Sequence, residues 1–414
     1  MSITPKSRLP HADRLLVILS DIEMGAGGLY DDFPHSDWLG ELIATYSQAP
    51  YEGLPVDLIF NGDTFDLLKT AYLGGHPRHV TRDVAMGKMA SIAAAHPLFF
   101  SAVRAFLAGG SEKAPRQVVF LEGNHDAELR FPEVHAFVRS LCGSPEQVHF
   151  PGLEHSVGRV QIEHGQQQDA MFRIDPEKPL IEYEGKQILN LAWGSAALLD
   201  TVIPMQPLLH FHDRLKPKNE VFDLLPDVKE YLVGSFWDYW TRDYWTGFWS
   251  TKDPTKKLTW TMLKEVVWRL GSKEVEVESE EDAQKLLAVE GDFDLYVRGH
   301  LHEARIRTHG HRKLVVAGCL RNEYMMLEEG KRLHPVPKSY VEVWLREGAP
   351  VVSNLVELEA PPAPAGYVPD SIFDVVPEVQ RLLAEREAAK EHKEADAAMQ
   401  AQEKKEAKEA KKAG

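Results

Sequence analysis

Five apolar runs of strand length each lead into a short cluster of carboxylate, amide or imidazole residues, and this recurrence constrains the chain more than any other feature. Leu15-Leu16-Val17-Ile18-Leu19 precedes Asp21-Ile22-Glu23, and Val56-Asp57-Leu58-Ile59-Phe60 precedes Gly62-Asp63. Gln117-Val118-Val119-Phe120-Leu121 precedes Gly123-Asn124-His125-Asp126. Val160-Gln161-Ile162-Glu163 leads into His164-Gly165, and Asp294-Leu295-Tyr296-Val297 into Gly299-His300-Leu301-His302. Such runs read as buried strands, and stretches such as 83–93 between them read as helices. The alternation predicts a layered α/β core. Glycines at 62, 123, 165 and 299 stand where the chain must turn sharply and let backbone approach a ligand. Polar clusters just past strand ends are where open α/β sheets place their sites.

A hydrolytic centre with two metal ions needs hard oxygen donors and imidazoles converging from several strand ends, with one carboxylate bridging ions about 3.5–4 Å apart. The five clusters supply those residue types. Singly, each has a plainer explanation: Asp21 or Asp63 as a helix N-cap after a strand, His300 and His302 as a half-exposed pair at a strand end. As an ordered set they resemble the calcineurin-like metallophosphoesterases, hydrolases of phosphate esters and phosphoanhydrides, over the region from Leu15 to about Gly318. The resemblance implies two packed β-sheets flanked by helices. It also implies Asp63 as bridging ligand, Asp21, Glu23 and His302 completing one metal site, and Asn124, His164 and His300 completing the other. His125 is then the expected proton donor to the leaving oxygen or hydrogen-bond donor to the phosphoryl group, with Asp126 fixing its tautomer. The first motif departs from the family's Asp-x-His, since Glu23 stands where that histidine is expected. A ligating carboxylate would favour Mn²⁺, Mg²⁺ or iron there; the alternative is that Glu23 points away and that site is weak. Two divalent ions are therefore the expected cofactors, Mn²⁺ first, with Fe or Zn²⁺ compatible.

The chain has 414 residues, 43% of them hydrophobic, enough for one large core with an elaboration or two modest ones. A formal net charge of −16 disfavours long nucleic acid as a partner, because non-specific affinity for it comes from Lys and Arg neutralising phosphates. It leaves room for a small or lipid-like phosphorylated substrate, since bound metals carry local positive charge. No run reaches the length needed to span a membrane, the N-terminus lacks the pattern of a signal peptide, and Cys142 and Cys319 are the only cysteines. A cytoplasmic protein without a disulfide framework is the expectation.

Between His164 and His300 the interval exceeds what one βα unit needs, and residues 180–290 read as a mostly helical, aromatic-rich insertion over the site. Its aromatics, among them Trp193, Trp237, Tyr239, Trp240, Tyr244, Trp245, Phe248 and Trp249, suit either packing against the core or an apolar wall for a large leaving group. A helical cap of that kind is found in the UDP-diacylglucosamine pyrophosphatase branch of the superfamily, to which this chain is only loosely similar. His164-Gly165-Gln166-Gln167-Gln168-Asp169 resembles the His-Gly-x-x-x-Asp element of several bacterial members, and the stretch on to Lys216-Pro217 resembles an uncharacterised bacterial subgroup, with Asp169 placed to orient His164 or to sit in a surface turn. Lys69, His76, Arg78, His79, Arg82 and Arg130 are candidates for contacting substrate phosphate. Residues 1–359 read as the metallophosphoesterase domain, closed by strands near 313–318 and 340–344. Residues 360–380 read as a Pro/Ala-rich linker and 381–414 as a charged Ala/Glu/Lys tail, a solvated helix or disordered. The expected function is phosphoester hydrolysis, with a metal-dependent nuclease or a catalytically impaired metal-binding scaffold as alternatives.

Overall fold

A computed structural model describes residues 11–238, 241, 253–256, 280–288 and 291–413. Sixteen strands lie among them: β1 (Arg14–Leu19), β2 (Val56–Asn61), β3 (Arg116–Leu121), β4 (Val148–Gly152), β5 (Glu154–Val157), β6 (Val160–Glu163), β7 (Leu180–Tyr183), β8 (Lys186–Leu189), β9 (Leu215–Lys216), β10 (Leu295–Arg298), β11 (Ala304–His309), β12 (Arg312–Ala317), β13 (Tyr324–Leu327), β14 (Arg332–Pro335), β15 (Lys338–Arg346) and β16 (Ala349–Leu358). The five runs that precede the polar clusters and both closing runs are strands, each within two residues of its expected bounds.

Two sheets carry the architecture, one ordered β16-β15-β1-β2-β3-β4 and the other β11-β12-β10-β6-β5. Side chains alternate across a strand, and here the parity sorts them into layers. Leu16, Ile18, Ile59, Val119, Leu121, Ile162, Val297, Val315 and Val343 form one core cluster between the sheets. Leu15, Val17, Leu19, Leu58, Phe60, Val118 and Phe120 point the other way, into a cluster with α1 (Ser36–Thr45), α2 (Arg82–Ala95), α3 (Pro97–Ala108) and α4 (Pro132–Cys142). Tyr296, Leu314 and Val316 of the second sheet face Ala283 and Leu287 of the helix Glu280–Ala288. Sheets covered on both faces require near-continuous apolar strands, which explains why these runs do not alternate with polar residues. The result is the expected α/β fold, a two-sheet sandwich with helices outside.

The long interval is partly different from its expected form. Residues 180–189 are a β-hairpin, β7 with β8. Then α5 (Trp193–Thr201) packs Ala196 and Leu199, with Ala192 just before it, into the helix-side core, and α6 (Gln206–Leu209), α7 (Lys218–Leu224) and α8 (Pro226–Asp238) follow. Tyr239, Trp240, Tyr244, Trp245, Phe248 and Trp249 lie outside the described residues, while Trp237 is exposed and Trp193 buried. A separate small core joins Met205, Phe211, Leu215, Val228, Tyr324 and Met326 to Tyr367, Ile372, Val375 and Val379. Residues 360–380 are therefore not a free linker: four apolar side chains within a Pro-rich composition anchor them to this core. The C-terminal helix Val376–Ala413 docks its first turns on α8 through Gln380 to Asp227, 2.7 Å, and the Arg386–Asp238 pair. Among the described residues no single helix is long and apolar enough to cross a membrane; α2 and α3 pass such a test only as a pair bent by 84°, with much of their apolar surface in the core.

Candidate metal centre

All five polar clusters stand at the carboxyl ends of parallel strands, β1, β2 and β3 in one sheet and β6 and β10 in the other. Backbone hydrogen bonds lock the turns to one another. Ile22 and Glu23 N–H donate to the Asp63 carbonyl at 3.0 and 2.8 Å, Gly299 N–H to His164 at 2.8 Å, and Arg321 N–H to Asp21 at 2.9 Å. Asp21, Glu23, Asp63, His300 and His302 all adopt positive φ, between 48° and 72°. Each such non-glycine residue is strained by about 1–3 kcal/mol, a pattern that clusters where function needs it. Gly123 and Gly299 permit the crossing: a Cβ at 123 would lie 2.0 Å from Asp63 Oδ1, and one at 299 would lie 1.9 Å from Ser20 Oγ.

Three imidazoles share one design. Each has one nitrogen tied to the protein, and in His164 and His302 the other faces carboxylates. His164 Nδ1 is 2.9 Å from the Asn61 carbonyl while Nε2 is 3.1 Å from Asp63 Oδ2 and 3.9 Å from Asp21 Oδ1. His302 Nδ1 is 3.0 Å from Glu323 Oε1 while Nε2 is 3.3 Å from Asp21 Oδ1 and 3.5 Å from Glu23 Oε1. His300 Nε2 is 3.4 Å from Asp169 Oδ2, and its ring stands edge-to-face with the His164 ring, centroids 5.4 Å apart. Carboxylate or carbonyl tethers of this kind orient metal-binding histidines. Two donors bound to one ion at about 2.0–2.2 Å sit about 3.0–3.5 Å apart, which is the spacing seen around both His164 and His302. Asn124 Oδ1 is buried and lacks a hydrogen-bond partner, and Asp63, His164 and His300 converge closely enough to hold a cation. The donor set therefore fits divalent metal.

Electrostatics point the same way. Burial disfavours charge on His164, yet Asp63 and Asp21 raise it to about 10; burial likewise opposes charge on His302, and hydrogen bonds to Asp21 and Glu323 raise it to about 10. Burial would raise the Asp63 carboxyl, but His164 and His125 hold it below its ordinary value. Protons thus balance the carboxylates, and a bound cation would replace them.

Several assignments change. Asp126 does not orient His125: its carboxylate accepts N–H from Gly123 at 2.6 Å and Thr64 at 2.9 Å, clamping the two turns. His125 Nδ1 instead meets Asp66 Oδ1 at 3.0 Å, and its backbone N–H donates to Asp63 Oδ1 at 2.7 Å. Asp169 faces His300 rather than His164. Arg78 pairs with Asp200 and donates to Thr255, Arg82 pairs with Asp83 at the surface, and Arg130 pairs with Glu122. The Arg78 and Arg130 pairs are largely buried, whereas the Arg82 pair is exposed. Lys69 does face it, donating to Glu23 Oε2 at 2.8 Å. Glu323, Arg321, Asp32 and Asp66 also belong to the site and were not singled out by sequence; only Asp66, three residues past Asp63 in Gly62-Asp63-Thr64-Phe65-Asp66, carried a local signal. Cys319 is a buried thiol donating to Glu323 Oε2 at 3.5 Å, with burial raising its pKa.

No known family profile matches this sequence, and no curated protein matches it. Among solved structures, a phosphopantetheinyl hydrolase from Mycobacterium tuberculosis is 14% identical, aligned over 79% of this chain and 96% of that one, with a TM-score of 0.23. A candidate 5′-nucleotidase from Staphylococcus aureus, in complex with alpha-ketoglutarate, is 11% identical over 89% of this chain and 58% of that one, with a TM-score of 0.26. Likenesses this distant carry no argument, and the case for function rests on the site.

Proposed function

We propose that this chain is a two-metal phosphoesterase that hydrolyses a phosphodiester, pyrophosphate or phosphomonoester of a small or lipid-like compound. The observation that supports it most is the convergence of Asp21, Glu23, Asp63, Asn124, His164, His300 and His302 from five strand ends, with one nitrogen of each of the three imidazoles tethered. In this reading Asp21, Glu23 and His302 would hold one ion, Asn124, His164 and His300 would hold the other, and Asp63 would be shared between them. Bound divalent ions, Mn²⁺ first among the candidates, would polarise the phosphoryl group and acidify water. The remaining steps belong to the chain's own groups. His125 is partly exposed at the rim. Burial opposes its charge, but Asp63, Glu23 and Asp66 raise it to about 9; Asp66, which is outside the proposed ligand set, would still favour a proton on the ring beside bound metal, for the departing oxygen. Asp66 fixes the ring through Nδ1, leaving Nε2 as the atom that gives the proton. Asp126 holds the Gly62 and Gly123 turns so that Asp63 and Asn124 keep their spacing.

Metal-stripped protein supplied with Mn²⁺ should hydrolyse bis-p-nitrophenyl phosphate or p-nitrophenyl phosphate, and Asp63→Ala should abolish the turnover. Turnover that persists without metal, or in Asp63→Ala, would refute the reading.

A further inference from the structure

The two groups of donors around Asp63 are not electrostatically alike. Both oxygens of the Glu23 carboxylate accept from Arg321 Nη1, at 2.8 and 2.9 Å, and Oε2 also accepts from Lys69 Nζ at 2.8 Å. Arg321 is 3% exposed and Lys69 16% exposed, so water screens neither cation well. Both are held in place from behind: Arg321 by Asp213 at 2.9 Å and Asp32 at 3.3 Å, Lys69 by Asp32 and by Asp66 at 3.2 Å. The other donors are different. Among the described residues, the ion pairs of Asp63 and Asp21 are with imidazoles, His164 and His302, and none is with Lys or Arg. An imidazole can itself be a donor to a metal, whereas the lysine ammonium and the arginine guanidinium carry no lone pair to offer one.

We infer that the two halves of the centre fill unequally, the half containing Glu23 binding its ion more weakly, and that Lys69 and Arg321 set the difference. The inference rests on the two-metal reading above. A cation bound between Asp21, Glu23 and His302 meets a carboxylate whose charge is already shared with two fixed cations, and it lies within a few ångströms of them, where repulsion is strong in a poorly solvated site. Glu23 retains a lone pair on Oε1 facing His302, so the half can bind, at reduced affinity. This arrangement gives Glu23, in place of an imidazole, a definite consequence: its added negative charge is offset by groups from far along the chain.

The test is Mn²⁺ binding to the full, metal-stripped chain by equilibrium dialysis with atomic absorption. The unaltered chain should bind two ions with dissociation constants at least about tenfold apart. His302→Ala should remove the weaker class and His164→Ala the tighter. Lys69→Met should tighten the weaker class by about tenfold or more and leave the tighter within about threefold. Lys69→Gln is the second variant, with circular dichroism to check that each variant folds. Two ions of equal affinity, or a weaker class that Lys69→Met leaves unchanged or loosens, would overturn the inference and leave the two-metal reading standing. Absence of saturable Mn²⁺ binding by the unaltered chain would overturn both.

Discussion

Replacing Gly123 with alanine adds one methyl group and changes no charged or ligating side chain, yet it should disable the centre. The added Cβ would lie 2.0 Å from Asp63 Oδ1, 2.5 Å from Asp63 N and 2.8 Å from Asp63 Cγ. Folded proteins do not hold such contacts under about 3 Å, so Asp63 and the Gly123 turn must separate by about 1 Å. Rotating the Asp63 side chain is not enough, because the backbone nitrogen is also struck. The movement strains two hydrogen bonds that define the crossing, His125 N–H to Asp63 Oδ1 at 2.7 Å and Gly123 N–H to Asp126 Oδ1 at 2.6 Å. Overpacking of this kind destabilises by about 1–3 kcal/mol, which a domain of this size can survive. Metal and catalytic geometry tolerate only about 0.5 Å, and a misplacement of about 1 Å can lower rate by about a hundredfold. The expected result is a folded protein, with far-UV circular dichroism unchanged, whose Mn²⁺ affinity and Mn²⁺-dependent turnover each fall by about a hundredfold or more. Gly123→Ala that binds Mn²⁺ within about threefold of the unaltered chain would refute the close-approach argument.

Other consequences can be measured independently. Asp66→Asn should lower kcat about tenfold to a hundredfold with KM and Mn²⁺ stoichiometry little changed, because it weakens the tether that keeps His125 protonated without removing a donor; an equal loss in metal binding would contradict that role. His35 is buried, and burial together with Lys338 lowers its pKa from 6.5 to about 4. Its Nε2 lies 2.9 Å from Asn322 Nδ2, and Asn322 Oδ1 accepts from Lys338 at 2.9 Å, a polarity that suits neutral imidazole. Because the folded value lies below the unfolded one, His35 contributes stability that is full above pH 6.5 and lost as pH falls through 4, about 3 kcal/mol in all. Urea unfolding of His35→Gln should show that much less acid sensitivity across this window, and parallel pH profiles would refute it. Ile372→Ala should destabilise by about 2–5 kcal/mol in chemical unfolding, since Ile372 is fully buried in the core shared with Phe211 and Tyr324. A loss below about 0.5 kcal/mol would mean that residues 360–380 contribute little to the fold.

Legibility from sequence followed the range of the interaction. The seven strands that frame the centre were readable because an apolar run bounded by glycine is a local signal, and burial on both faces makes that run continuous. The donor types at strand ends were readable for the same reason. Composition misled at 360–380, where Pro and Ala are abundant but Tyr367 and Ile372 anchor the segment. It was equally silent on Arg78 and Arg130, whose partners Asp200 and Glu122 are set by packing.

By itself, the sequence determined the donor inventory, the strand-end placement of each donor and the glycines without which the turns could not cross. Only the tertiary structure decided which groups act on which. Glu23 meets Arg321 across 298 residues, His125 takes Asp66 rather than its neighbour Asp126, and His302 takes Glu323 across a strand connection. Strand and turn formation depend on contacts within a few residues. The pairing of buried charges depends on which turns the two sheets bring within about 4 Å of each other, where Coulomb energies in a poorly solvated interior are large enough to set the protonation and affinity of every group in the centre.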